Sequence, residues 1–363
     1  MSRYLSGSVI LICCLAFVVA CDKDRPVVLP GPGWGCLGFD NHWAVELKLD
    51  WPYLYACAAD EGLFRMRLDR RGSGWQYVGL ADTSLADTTF GHFTNRGVLD
   101  VLSLGSGELL AGIIPGITYV PRIYRSSDDG NTWAPSDTCV GGYPCYPCML
   151  AGVHSLERSP CVGDVILAGA SGAIFRSTDK GLTWVHVGGI IDTGLGVNDI
   201  RFHPMDCSLL WAVGETSFFE ALLMKSTDHG ETWQRLDTRN LRQYGEGLHR
   251  IALHPTDMNV LYISLSGSVV KSTDGGTTWT ATAFPMAFQK RYRGLVLDPV
   301  NPDHMFAAAK QELFESWDGG LTVQKLEIPE DIGMNDNIRA LEYHGPSATL
   351  YIGSLAGVFS YRQ

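Results

Sequence analysis

Four arginines, Arg96, Arg250, Arg293 and Arg339, fall at similar places in successive stretches of a chain of 363 residues. Arg250 and Arg339 each stand 11 residues before a Leu-Tyr-Ile run. A guanidinium is a planar, permanently charged fork that matches a carboxylate or another anion through two parallel hydrogen bonds. Placed at one position of a repeated unit, such groups converge on an anion site. Matched with carboxylates of the next unit, they become salt bridges between units. His249 and Asn337 lie beside them and complete the candidate ligand-binding set. Glu215, Glu246 and Asp336 are the candidates for the other chemistry on offer, inverting hydrolysis of a glycosidic bond, which needs two carboxyls roughly 6.5–9.5 Å apart across a cleft. No glycine-rich phosphate loop, nucleophile elbow or HExxH motif occurs.

Cysteines form a third group. Cys139, Cys145, Cys148 and Cys161 cluster within one stretch, and Cys36, Cys57 and Cys207 stand apart. Two disulfides stapling a long loop is the leading reading of the cluster. A four-thiolate zinc site fits the number but not any familiar spacing. A redox pair at Cys145 and Cys148 would lack the thioredoxin βαβ context that lowers a thiol pKa. On the leading reading no metal and no cofactor is expected. Cys36 and Cys57 are then a further pair, and Cys207 the odd thiol.

The elements that must carry these residues are set by an octapeptide with Ser, Asp, Gly, Thr and Trp at fixed places. It runs through Ser126, Asp128, Gly130, Thr132 and Trp133, and returns at Asp179, Asp228 and Asp274 with Trp184, Trp233 and Trp279. A fifth copy at Asp318 has Val323 in place of Trp, and a degenerate one surrounds Asp69, Gly72 and Trp75. The copies recur about every 44–51 residues, the length of a four-stranded propeller blade. Each is preceded by a short apolar strand, such as residues 54–57, 166–169, 261–264, 305–308 and 350–353. The motif resembles the Asp-box, or bacterial neuraminidase repeat. That resemblance implies an all-β fold, a single β-propeller of seven four-stranded blades with six or eight as the alternatives. It also implies that Asp128, Asp179, Asp228, Asp274 and Asp318 fasten hairpins and take no part in chemistry. The last copy ends without a box, so a strand from the N-terminus, around residues 26–29, is expected to close the ring and limit exposed edges. In such a fold the box turns line one face. Residues 87–96, 134–153, 194–199, 242–250, 289–293 and 334–339 line the other, where the central channel opens.

The first twenty residues differ from the rest. Residues 9–20 are an uncharged apolar run, shorter than the roughly 20 residues that a membrane span needs and of the length of a secretory h-region. Val18, Val19, Ala20 and Cys21 resemble a bacterial lipobox, which implies cleavage before Cys21 and lipidation of its thiol. The expected organisation is a signal peptide over 1–20, a lipid-attached spacer and ring-closing segment over 21–41, and the propeller over 42–363. Location is then extracytoplasmic, periplasmic or at the cell surface, with the membrane reached through the lipid. A net charge of −11 argues against nucleic acid as a partner. Sialidases share the Asp-box but need an Arg-Ile-Pro motif, which is missing here. Single seven-bladed Asp-box propellers resemble the photosystem II stability and assembly factor family, and more distantly xyloglucanase and sortilin propellers. The resemblance implies a non-catalytic binding or assembly factor whose channel face takes a protein or anionic ligand. The alternative is an exported glycoside hydrolase or glycan binder.

Overall fold

Ile166, Leu167, Ala168 and Ala170 are fully buried along one short strand, with no polar residue between them. A strand reads this way when it packs on both faces. Ile166, Ala168 and Ala170 enter one apolar cluster with Leu110 and Ile123, whereas Leu167 enters another with Ile200 and Leu210. The computed structural model explains the pattern. It describes residues 33–363 except 40–41, 59–60, 71, 82–96, 114–122, 140–142, 145–151, 171–172, 189–195, 217–219 and 331–336. Among the described residues the strands form seven sheets, and in five of them the four strands run from innermost to outermost in chain order. Seven apolar clusters lie between neighbouring sheets, and the cluster joining Leu47 and Leu54 to Ala340 and Tyr351 links the last sheet to the first. The fold is therefore a closed seven-bladed propeller. Its core is a set of radial seams, each depending on both blades that border it.

The innermost strands are Ala44–Asp50, Val98–Gly105, Val153–Arg158, Gly196–His203, Glu246–Leu253, Tyr292–Leu297 and Ile338–His344 in blades 1 to 7. Blade 7 takes its fourth strand from the N-terminal side. Gly33–Cys36 pairs antiparallel with Gly357–Arg362, Gly33 opposite Arg362 and Cys36 opposite Phe359. The closing strand is thus Gly33–Cys36 and not residues 26–29, which lie outside the described residues. Blade 3 carries two further short strands, Thr138–Cys139 pairing parallel with the outermost strand and Tyr143–Pro144 beyond it. No helix among the described residues is long and apolar enough to cross a membrane.

The boxes act as fasteners. In blade 3 the Thr183 amide and hydroxyl donate to the Asp179 carboxylate at 2.8 and 2.6 Å. The Ser177 hydroxyl donates to the same carboxylate at 2.7 Å and accepts the Gly181 amide at 2.8 Å. The same contacts recur at Asp128, Asp228, Asp274 and Asp318. They hold the Asp274 carboxyl down at about 2, first through the Thr278 hydroxyl and amide. In blades 2 and 3 the box tryptophan then ties two blades, whereas Trp233 donates to Gly230 of its own box. Trp133 donates its indole N–H to the Val78 carbonyl at 2.9 Å and Trp184 to Ser136 at 2.7 Å. The degenerate copy keeps this tie, Trp75 donating to Leu37 at 2.9 Å. Gly130 is required on two counts. Its φ is +84°, and a Cβ there would lie 2.1 Å from Val78 Cγ1 in the neighbouring blade. Box amides also donate to the first hairpin turn of their own blade, as from Lys180 to the Asp164 carbonyl at 3.0 Å and from Gly275 to Asn259 at 2.9 Å. Boxes and first hairpin turns therefore share one face.

The cysteine expectations need correction. Cys161 bonds Cys207, joining the first hairpin turn of blade 3 to the start of the second strand of blade 4. Cys207 is thus not the odd thiol. Cys57 is free and buried in the second strand of blade 1, its thiol pushed well up by burial, so it does not pair with Cys36. Cys36 is itself disulfide-bonded. Cys145, Cys148 and the Cys139 side chain lie outside the described residues, as does Cys21.

Candidate functional site at the channel mouth

All seven innermost strands slip register at one point near their start. Val153 pairs with Ala170 and Ser155 with Gly169, which leaves His154 without an opposite number. Val45, Leu99, Asn198, His249, Arg293 and Arg339 are left out in the same way in the other six blades. A bulge bends its strand and re-aims the extra side chain. Here it does so seven times around one axis, and all seven bulge residues line one cavity of about 340 Å³. Trp43, Glu46, Glu215, Arg250 and Leu355 complete the wall. The cavity is at the end of the channel away from the boxes.

Arg293 is a charge in it without a close side-chain partner among the described residues. Among the described residues no ion pair or hydrogen bond holds its guanidinium, and its own carbonyl accepts from Arg250 Nε at 3.2 Å. Burial and then the neighbouring Arg339, Arg291 and Arg250 push its pKa down to about 10, with Glu215 acting in the opposite direction. His249 is pushed down to about 3 by burial and by Arg293, Arg291 and Arg250, and its Nε2 lies 2.9 Å from Ser266 Oγ. Burial takes His154 down to about 4. Both imidazoles are therefore neutral near pH 7. The Asn198 amide donates to the Leu248 carbonyl at 2.7 Å. The mouth thus combines the Arg293 and Arg339 guanidiniums with the Glu215 carboxylate and neutral polar groups, and Trp43, half exposed, offers an apolar surface beside them.

One position deeper, the layer is structural. The inner edges of innermost strands have no ladder partner, so their amides need other acceptors. Asp100 accepts the Leu156 amide at 2.7 Å, Ser155 accepts Ile200 at 3.2 Å, and Asp199 accepts Ile251 at 3.1 Å, each from the next blade. Arg250 belongs to this layer and not to the mouth ring. It forms an ion pair with Glu46 of blade 1. The equal spacing of Arg250 and Arg339 is misleading because the hairpin turn between Leu253 and Leu261 is longer than the one between Tyr343 and Leu350. Arg339 is equivalent to His249, and Arg250 to Ala340.

Deeper still stand Lys48, Glu157, Arg201 and Glu342. Arg201 Nε lies 3.1 Å from Asp199, and Lys48 lies 3.4 Å from Asp100. Burial pushes Glu342 up to about 7 against the pull of Lys48 and Arg201, with Glu46 adding to the rise. The unfolded chain ionises this carboxyl near 4.5. Between these values the folded protein holds the extra proton, so stability falls as pH rises from about 4.5 to about 7, and the loss is complete above that. Glu342→Gln is expected to stabilise the protein by roughly 2 kcal/mol at pH 8 and by almost nothing at pH 4, read from urea unfolding at both values.

Two of the carboxylate candidates open into different cavities, although the Glu215 carboxylate lies against Gly247, the neighbour of Glu246. Glu215 lines the mouth, whereas Glu246 is exposed in a separate cavity of about 710 Å³ with Glu220, Asp237 and Arg242. Asp336 and Arg96 lie outside the described residues. Asn337 is not part of the mouth wall; its carbonyl accepts the Leu355 amide at 3.3 Å. Among the described residues no three His, Cys, Asp or Glu side chains are grouped to hold a metal ion. His154, Asn198 and Trp43 belong to the site although the arginine spacing did not point to them.

Residues 224–235, around the Asp228 box, match the BNR/Asp-box repeat family. No curated protein matches the chain. Solved structures show the fold at low identity. A GH74 xyloglucanase from Xanthomonas campestris is 15% identical with a TM-score of 0.66 over 91% of this chain, which spans only about half (53%) of the enzyme. YCF48 from Cyanidioschyzon merolae is 12% identical with a TM-score of 0.61, covering 91% of this chain and 98% of its own. The extracellular domain of a one-component-system protein from B. thetaiotaomicron is 12% identical with a TM-score of 0.63, over 91% of this chain and 40% of that one. By repeat and by architecture, the chain is similar to Asp-box propellers of both binding and hydrolytic kinds.

Proposed function

We propose that this chain is a lipid-anchored extracytoplasmic propeller that binds, without catalysis, a protein segment or small ligand through a carboxylate placed at the channel mouth. The observation that carries this reading is Arg293. Its guanidinium lies in a cavity of about 340 Å³ beside Arg339, with no ion pair or hydrogen bond from the described residues to neutralise it. Crowded guanidiniums raise each other's free energy, and an entering anion relieves that cost. Glu215 and Glu246 open into different cavities, whereas the hydrolytic alternative requires two carboxyls facing across one cleft. YCF48, of similar fold, has a structure with a D1 peptide bound. The Cys161–Cys207 bond and the extracellular neighbour fit an oxidising compartment.

The test uses the mature lipidated protein. Citrate serves as the anionic probe in calorimetry, and a pull-down from the native membrane reports the natural partner. Arg293→Gln with Arg339→Gln is expected to weaken citrate about tenfold or more and to release the co-purified partner. Unchanged binding in both assays would sink the reading. Enzyme-like hydrolysis of any member of a glycan panel would favour the alternative. A mature N-terminus without lipid on Cys21 would remove the anchor.

A further inference from the structure

The opposite end of the channel has a different chemistry. A cavity of about 330 Å³ opens there between Pro204, Pro255 and Pro299, lined by Leu253, Val296 and Leu297 and reaching the charged residues Arg201 and Glu342. Around it, Met205, Met258 and Val300 are 61%, 44% and 76% exposed at the tips of the first hairpin turns of blades 4, 5 and 6. Turn chemistry does not require them. It requires the aspartates beside them: Asp206 accepts the Ser208 amide at 2.9 Å, Asp257 accepts Asn259 at 2.9 Å, and Asp298 accepts Val300 at 2.8 Å. A polar residue at each tip would leave these hydrogen bonds intact. Three neighbouring blades instead expose an apolar side chain at corresponding turns, around one cavity.

The charge on this face is mainly acidic, although Lys225 and Lys271 reach the box turns at Gly275 and Gly319, and Arg176 lies 3.4 Å from Glu231. The six turns that blades 4 to 6 present here, residues 203–209, 227–233, 254–260, 273–279, 298–304 and 317–323, contain eight carboxylates and no lysine or arginine. Thr278 and Ser272 keep Asp274 low, and Thr232 and Ser226 outweigh the burial of Asp228 to hold it at about 2 as well, so the box charges persist over the physiological range. The bulge-ring mouth holds Arg293 and Arg339 instead. The two faces therefore select for ligands of opposite charge.

We propose that the hairpin-turn face of blades 4 to 6 docks a cationic protein segment that places an apolar side chain between Pro204, Pro255 and Pro299. Apolar contact supplies affinity and the carboxylate rim supplies orientation and on-rate. Anionic lipid is repelled by the same rim. Separately from the channel-mouth site, this surface is tested on the mature full chain with a fluorescein-labelled peptide alternating Lys and Leu. The peptide is expected to bind the wild type with an affinity that falls as salt rises. Substituting Met205→Ser, Met258→Ser and Val300→Ser together should weaken it about tenfold or more, because exposed tips can change without unfolding the chain. Met286→Ser with Phe288→Ser, exposed on the bulge-ring side, should have no effect, nor should Arg293→Gln with Arg339→Gln. A Lys/Ser peptide and a Glu/Leu peptide should both fail to bind. The proposal falls if the Lys/Leu peptide does not bind the wild type, if the tip variant binds it as well as the wild type, or if the Glu/Leu peptide binds equally. It also falls if phosphatidylcholine vesicles or a second copy of the chain occupy the face in the peptide's place.

Discussion

Replacing Arg250 by Met is expected to cost about 3 kcal/mol of stability, and adding Glu46→Gln to that variant to restore most of it. The pair joins blade 5 to blade 1 across the channel, with side chains only 17% and 8% exposed. Two charges taken this far out of water are held chiefly by each other. Removing one leaves the other desolvated and unmatched, whereas removing both leaves neither cost. Met keeps most of the arginine stem, so the packing loss is small. Urea unfolding of the wild type, the two single variants and the double variant forms the cycle that isolates the coupling. The same cycle separates two roles for arginines in this channel. A tie between blades gives a large coupling and leaves citrate binding unchanged. A ligand-binding arginine gives the reverse, and Arg293 is expected to behave that way. If Arg250→Met proves harmless to stability and damaging to citrate binding, then Arg250 belongs with Arg293 and the layer assignment is wrong.

That distinction was beyond reach of the sequence, for a geometric reason. The box could be read because its Ser, Asp, Gly, Thr and Trp each meet a fixed demand of the same turn, so chemistry and spacing repeat together. Blade number followed from the spacing. The bulge ring has no such chemical repetition: Val45, Leu99, His154, Asn198, His249, Arg293 and Arg339 share a backbone position and little else. Its trace is in the residues that flank it. Ala44 and Leu47, Val98 and Val101, Val153 and Leu156, Val197 and Ile200, Leu248 and Ile251, Tyr292 and Leu295, and Ile338 and Leu341 are buried pairs three apart. A regular strand buries residues two apart on one face, so a spacing of three repeated seven times marks an extra residue. Aligning arginines by distance to the next strand failed because one hairpin turn is longer than another. The closing strand was placed too early for a related reason. Its partner edge is fixed by blade 7 at the far end of the chain, and no local pattern in residues 26–36 distinguishes one four-residue segment from the next.

Removing the Cys161–Cys207 bond is expected to cost about 4 kcal/mol, the loop-closure entropy of the 46 residues it spans. That separation is about one blade repeat, which is why the two sulfurs meet: they stand near corresponding first hairpin turns of blades 3 and 4. Cys207 also packs with Val165, Ile200 and Phe202 in the seam between these blades. A ring is only as strong as its weakest seam, because opening one frees both bordering blades to unfold from an edge. The bond therefore limits opening at blades 3 and 4, as the Gly33–Cys36 strand limits it at blade 7. Reductant is a poor test, since Cys36 is disulfide-bonded too. The double variant Cys161→Ala with Cys207→Ala isolates the one bond. Its urea midpoint should fall with little change in the slope of the native baseline, and the buried Cys57 thiol should become reactive toward a thiol reagent at lower denaturant than in the wild type. If the midpoint is unchanged, blades 3 and 4 are held by their apolar seam alone, and the bond is dispensable to the closed ring.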